Sequence, residues 1–119
     1  MDAPVTFKML ADGNISKYAA LCTGRFDNTV KHALWPEVTD LSNVLGIALN
    51  DAGDGGEVTI CCLGPVTDPI FDFERNKPVY IYVGGYLKQE MPEKSIYRIG
   101  KAIAKQTIFI SLSEYLMLE

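Results

Sequence analysis

Apolar and polar residues alternate with a period of two along most of the chain. In PVYIYV, Val79, Ile81 and Val83 fall on one side and Tyr80 and Tyr82 on the other, as on a strand whose successive side chains point to opposite faces. VTFKML, SKYAALCT, VLGIAL, EVTICCL, SIYRIGKAIA and QTIFISL are likewise short runs rich in Val, Ile, Thr, Tyr and Phe. Turn-forming residues separate them at ADGN, TG, DAGDGG, GP, NKP and VGG. Helical spacing is confined to Val38–Val44 and Ser111–Leu118, both too short to be stable alone. The pattern predicts an all-β fold, a small β-barrel or sandwich of about 8–10 short strands.

One pattern occurs twice. VLGIAL (Val44–Leu49) and RIGKAI (Arg98–Ile103) share an apolar-Gly-x-Ala-apolar core. Each is followed by a polar turn and a β-branched run, Val58–Leu63 and Thr107–Leu112. Each is preceded by a hairpin turned on glycine, Tyr18–Phe26 and Val79–Leu87. The expectation is two duplicated β-units. Gly46 with Ala48, and Gly100 with Ala102, would form strips of small residues where another backbone can approach closely, with Ile47 and Lys101 pointing the opposite way.

Size and charge narrow the picture. A chain of 119 residues, 48% hydrophobic, suits a single β domain spanning 1–119, and at this length folding buries about two thirds of the unfolded surface. Such a core needs neither metal nor disulfide. The formal charge of -4, with 15 acids against 11 bases, and the lack of any Lys/Arg-rich run argue against nucleic acid as a partner. No apolar stretch approaches the ~18 residues that span a bilayer, so no membrane is expected. MDAPVTFKML carries an acid at position 2 and lacks the charged lead-in of a secretory signal. Cys22, Cys61 and Cys62 make an odd count, which fits reduced, packed thiols in a protein made in a reducing cytoplasm.

Candidate chemistry is sparse. The turn NDAGDGGE places carboxylates at Asp51, Asp54 and Glu57, but a calcium loop wants oxygen ligands at alternating positions, and a phosphate loop wants a Lys-Ser/Thr that is absent. It reads as a solvated hairpin loop whose glycines accept positive φ. His32 is the only histidine; no nucleophile elbow surrounds Cys22, Cys61 or Cys62, and adjacent cysteines lack the gap a chelating pair requires. In TDPIFDFE, Asp72 and Glu74 would share one strand face with Asp68 nearby, a solvated face rather than a carboxylate pair for glycoside hydrolysis. Six tyrosines and one tryptophan leave open a sugar-stacking surface, against the commoner role of cross-strand packing. The expectation is no enzyme, with no catalytic residue, no cofactor and no metal. Residues 1–10 have two readings: an N-terminal arm that adds its Val5/Phe7/Met9 face to a partner's sheet, or the first strand of the domain itself.

The order of motifs resembles the small β-rich virion proteins of tailed bacteriophages, the head-decoration or capsid-cement proteins and related tail and fibre β-domains. The residues that carry it are Gly46, Ala48, Gly56-Glu57-Val58, Gly64-Pro65-Val66, Pro78-Val79-Tyr80, Gly85-Tyr86-Leu87 and Gly100-Lys101-Ala102. The match runs from Val44 to Ile110, with Asn76-Lys77 where the family pattern has glycine and Lys88 where it has Thr; the first forty residues match loosely. This resemblance implies a non-enzymatic protein on the virion's capsid surface. Its partner would be the major capsid protein, and it would itself be a homo-oligomer, a trimer. A tail, collar or fibre-attachment β-domain is the alternative of the same class, and a carbohydrate-binding module is the alternative outside it.

Overall fold

A computed structural model describes residues 3–35, 37–93, 95–112 and 116–117 of the chain. Among them the strands are β1 (Val5–Ala11), β2 (Ala20–Thr23), β3 (Thr29–His32), β4 (Val44–Ala48), β5 (Glu57–Thr67) and β6 (Pro78–Ile81). They continue with β7 (Leu87–Lys88), β8 (Ser95–Ile96), β9 (Arg98–Ala104), β10 (Thr107–Ser111) and β11 (Leu116–Met117). One helical turn, α1 (Val38–Leu41), precedes β4, and a 3-10 turn at Val83–Gly85 joins β6 to β7. The all-β expectation holds. The strand count exceeds it slightly because β7, β8 and β11 are two residues each.

Strands β1, β3, β2, β4 and β5 close on themselves into a barrel. Closure is made by β1, which pairs parallel with β3 (Leu10↔Thr29, Ala11↔Val30) and antiparallel with β5 from Val5↔Leu63 to Leu10↔Glu57. Of the two readings of the N-terminus, the structure therefore places Val5–Ala11 in the chain's own domain. The alternation is as the sequence suggests, with Phe7, Met9 and Ala11 turned towards the barrel interior, while Val5 lies beyond a bulge and is exposed. Small barrels are filled by side chains, and this one is filled by Leu21, Val30, Ala48, Val58 and Ile60.

Strand β5 is long enough to leave the barrel. After Leu63 it pairs with β10 (Pro65↔Phe109, Thr67↔Thr107), and the sheet continues through β9 and β6 to β7. Gly64, at φ +113°, sits where the strand passes from one layer to the other; a Cβ there would come within 2.8 Å of Pro4 Cα. The second sheet packs over the barrel's outer wall. Ala20, Cys22, Ile47 and Cys61 point outward from the barrel and meet Val79, Ile81, Ile99, Ala102, Ile108 and Ile110 in a second, larger core. Ile47 and Ala48 are thus both fully buried, one in each core.

The duplication is visible in the pairing. The sheet order β3-β2-β4-β5 is mirrored as β10-β9-β6-β7 in reverse. Leu21 pairs with Gly46 and Cys22 with Val44 across a bulge; Val79 pairs with Gly100 and Tyr80 with Arg98 across the matching bulge. Ile47↔Cys61 and Ala48↔Ile60 correspond to Lys101↔Phe109 and Ala102↔Ile108. The pairing also corrects the alignment read from the sequence. Thr59-Ile60 matches Thr107-Ile108, one residue from the expected match of Val58 with Thr107, and Leu21 rather than Tyr18 is the counterpart of Val79. The close backbone approaches at Gly46 and Gly100 anchor this match.

The two helical stretches come out differently. Val38–Leu41 makes a single turn and Val44 already belongs to β4. Of Ser111–Leu118, Ser111 ends β10 and Leu116–Met117 pairs with β8, while the remainder beyond Leu112 lies outside the described residues.

Candidate functional site

The residues with candidate chemistry are mostly engaged by the fold, and where His32 and a cysteine meet it is Cys22 Sγ donating to the His32 backbone carbonyl (3.8 Å). His32, near the end of the barrel, accepts a hydrogen bond at Nε2 from Ser16 N (3.0 Å). Burial holds its pKa below the ordinary value, so the neutral imidazole is favoured as the acceptor. Cys22 and Cys61 are buried in the second core, and burial pushes the Cys22 thiol up to about 11 and raises that of Cys61. A thiol so poorly ionised is a weak nucleophile. All three cysteines are free.

The NDAGDGGE turn is the hairpin loop between β4 and β5, with Gly55 at φ +80°. Its acids serve the neighbouring segments. Asp54 Oδ1 accepts from Gly13 N (2.8 Å) and Asp51 Oδ1 from Lys17 N (2.7 Å), while Glu57 faces Lys8 at 3.4 Å. Asn50 ties the loop shut by donating to Glu57 O and accepting from Thr59 N.

TDPIFDFE is not a strand beyond Thr67, contrary to the alternation of its acids. Asp68 caps a turn by accepting from Ile70 N (2.9 Å), and Phe71 and Phe73 fold inward as a ring pair 5.2 Å apart. Proline at position 69 and this side-chain cap break the ladder, so Asp72 and Glu74 do not share a strand face. Asp72 instead lies near Lys105 and Glu74 pairs with Lys77. Asp68 accepts a short hydrogen bond from Tyr18 Oη, and desolvation together with this carboxylate pushes the phenol up to about 12.

Tyrosines also divide by use. Tyr97 is buried, Tyr18 is bound to Asp68, and Tyr82 stacks on Trp35 at 5.4 Å with the Lys88 ammonium over its ring. Tyr86 is the most open of the described ones, beside a groove of about 360 Å3 that Phe71, Phe73 and Lys17 also line. Most of the described tyrosines are taken up by packing or hydrogen bonds.

The outer face of the second sheet brings cationic, aromatic and aliphatic side chains together. Directly paired residues of antiparallel strands share a face, which aligns Lys88, Tyr80 and Arg98 in one row and Pro78, Lys101, Phe109 and Pro65 in the next. A third row holds Ser111, Leu63 and Val5. Between β9 and β10 the face is grooved by about 390 Å3, lined among others by Arg98, Lys101, Ile103 and Phe109. Sequence reading missed this face because its members come from separated runs, and only the register brings them together.

No known protein-family description matches the chain, and a search of curated proteins returns no match. Among solved structures the chain is similar to the head fibre gp8.5 N base of bacteriophage phi29, with a TM-score of 0.56 and 18% identity over 98% of this chain and 99% of that one. At that identity the likeness is one of fold, and it extends from end to end.

Proposed function

We propose that this protein is a non-enzymatic structural component of a tailed-phage virion, a head-decoration protein that binds the assembled capsid and braces the major capsid protein lattice. One observation carries the reading: the whole chain shares its fold with the base of a phage head fibre. The motif resemblance from Val44 to Ile110 points to the same class independently. The mechanism is linkage. A protein that binds only the assembled lattice stabilises it by its binding free energy, about 2.7 kcal/mol per site at a hundredfold excess over Kd. Assembly as a homotrimer would multiply weak contacts through effective concentration. A fold whose histidine and buried thiols are engaged internally suits such a passive brace.

The second reading, a fibre-attachment domain, is favoured by the same neighbour, which is itself a fibre base. The glycan-binding alternative has less support, since the tyrosines are largely spent on packing and hydrogen bonds. Electron cryo-microscopy of capsids incubated with the purified protein separates these. Density seated on the shell is the expected outcome, density prolonged outward as a fibre selects the second reading, and density at the tail or none at all overturns the decoration role.

A further inference from the structure

We propose that the outer face of β6, β7, β9 and β10 is the docking surface for an acidic protein surface of the capsid shell. This rests on the virion reading above and adds to it the face and the chemistry of the partner. The first support is charge segregation. The formal charge of -4 resides entirely in residues 1–67, which carry eight acids and four bases. The four strands of the face contain Lys88, Arg98 and Lys101 and not one carboxylate. Lys101 is exposed and makes no ion pair among the described residues, standing directly between Pro78 and Phe109.

The second support is what separates the cations. Phe109 (38% exposed), Ile103 (37%) and half-buried Tyr80 make an apolar ground between them. Aromatic side chains and arginine are enriched in protein–protein contacts, and the two lysines beside them add positive charge that an acidic partner complements. A phosphate backbone would be met by a denser cluster of cations on a chain without this acidic excess. A second copy is a poor match as well, because the acids of the barrel half are largely engaged within the chain. Asp12 is held by Arg25, Asp40 by Lys31 and the Leu34 amide, and Glu57 by Lys8. Asp51 and Asp54 accept from loop amides.

The test is co-sedimentation of the full chain with expanded empty capsids of its own phage, comparing wild type with Lys101→Glu, Phe109→Thr and, on the barrel, Lys8→Glu. Each variant's thermal transition is measured alongside, since all three positions face solvent. The expected result is at least about a tenfold loss of affinity for Lys101→Glu and Phe109→Thr, none for Lys8→Glu, and weaker wild-type binding as salt is raised. If wild type binds and both face variants bind equally well, the face is wrong while the virion reading stands. Loss of self-association in sedimentation velocity with capsid affinity unchanged would assign the face to a second copy and overturn the proposal. Loss of duplex-DNA binding with capsid affinity unchanged would assign it to nucleic acid, with the same consequence. No wild-type binding to capsids removes both readings.

Discussion

Gly46 and Gly100 stand at equivalent positions of the two halves, and at each a Cβ would collide with a backbone carbonyl of the paired strand, Cys61 O in one case and Phe109 O in the other. Backbone cannot yield as a flexible side chain can, so Gly100→Ala should cost about 3 kcal/mol; urea unfolding checks this, and an unchanged midpoint would contradict the close approach. His32 makes a prediction with a definite sign. Its folded pKa is depressed, so its contribution is full above the ordinary value of about 6.5 and is lost as pH falls, when the unfolded chain binds a proton that the native state resists. The melting temperature should therefore decline from pH 7 to about 5, and His32→Gln, which keeps an acceptor without titrating, should flatten that decline; equal slopes would contradict the account. Asp12 acts further down the scale. Arg25, through its side chain and its backbone N–H, holds the Asp12 carboxyl down to about 2, so this contribution persists until the pH falls below the ordinary carboxylate range. The glycines were legible in the sequence as close-approach positions. The roles of His32 and Asp12 were not, because both depend on residues 13 to 16 positions away that only the fold brings near.

Among the elements, β1 has the most demanding position, bonded to β3 on one side and β5 on the other. Removing residues 1–9 deletes most of a barrel strand, unpairs its neighbours and exposes Val58 and Ile60. Such a protein should show no cooperative thermal transition, as followed by circular dichroism; a transition like that of the intact chain would mean that the barrel closes without β1. The alternation of Phe7, Met9 and Ala11 announced a strand with one buried face. It did not say whose sheet would bury that face, because a free edge and a closed barrel ask for the same side chains. The loop after β5 shows the converse. Its acids alternate as on a strand, yet Pro69 and the Asp68 cap end the ladder, since a local side-chain hydrogen bond outcompetes pairing there.

At the scale of the whole molecule, the two cores are joined through shared strands. Ile47 lies on a barrel strand but packs against Ile99 and its neighbours in the second core. Ile47→Ala should lower stability by about 2–4 kcal/mol while calorimetric and van't Hoff enthalpies stay equal, one cooperative unit; two resolved transitions would show the halves to be independent. Alternating apolar residues and glycine-rich turns determined that the chain would be all-β, built of short strands and internally repeated, because period and turn chemistry are properties of neighbouring residues. Register is different, since a shift by one residue exchanges the faces of a strand. Only the tertiary structure decided that β1 closes a barrel, that Ile47 belongs to the outer core, and that Lys88, Arg98 and Lys101 meet Tyr80 and Phe109 on one side of the sheet. Those outcomes depend on which backbones pair across long separations, where the energy comes from packing rather than from local preference.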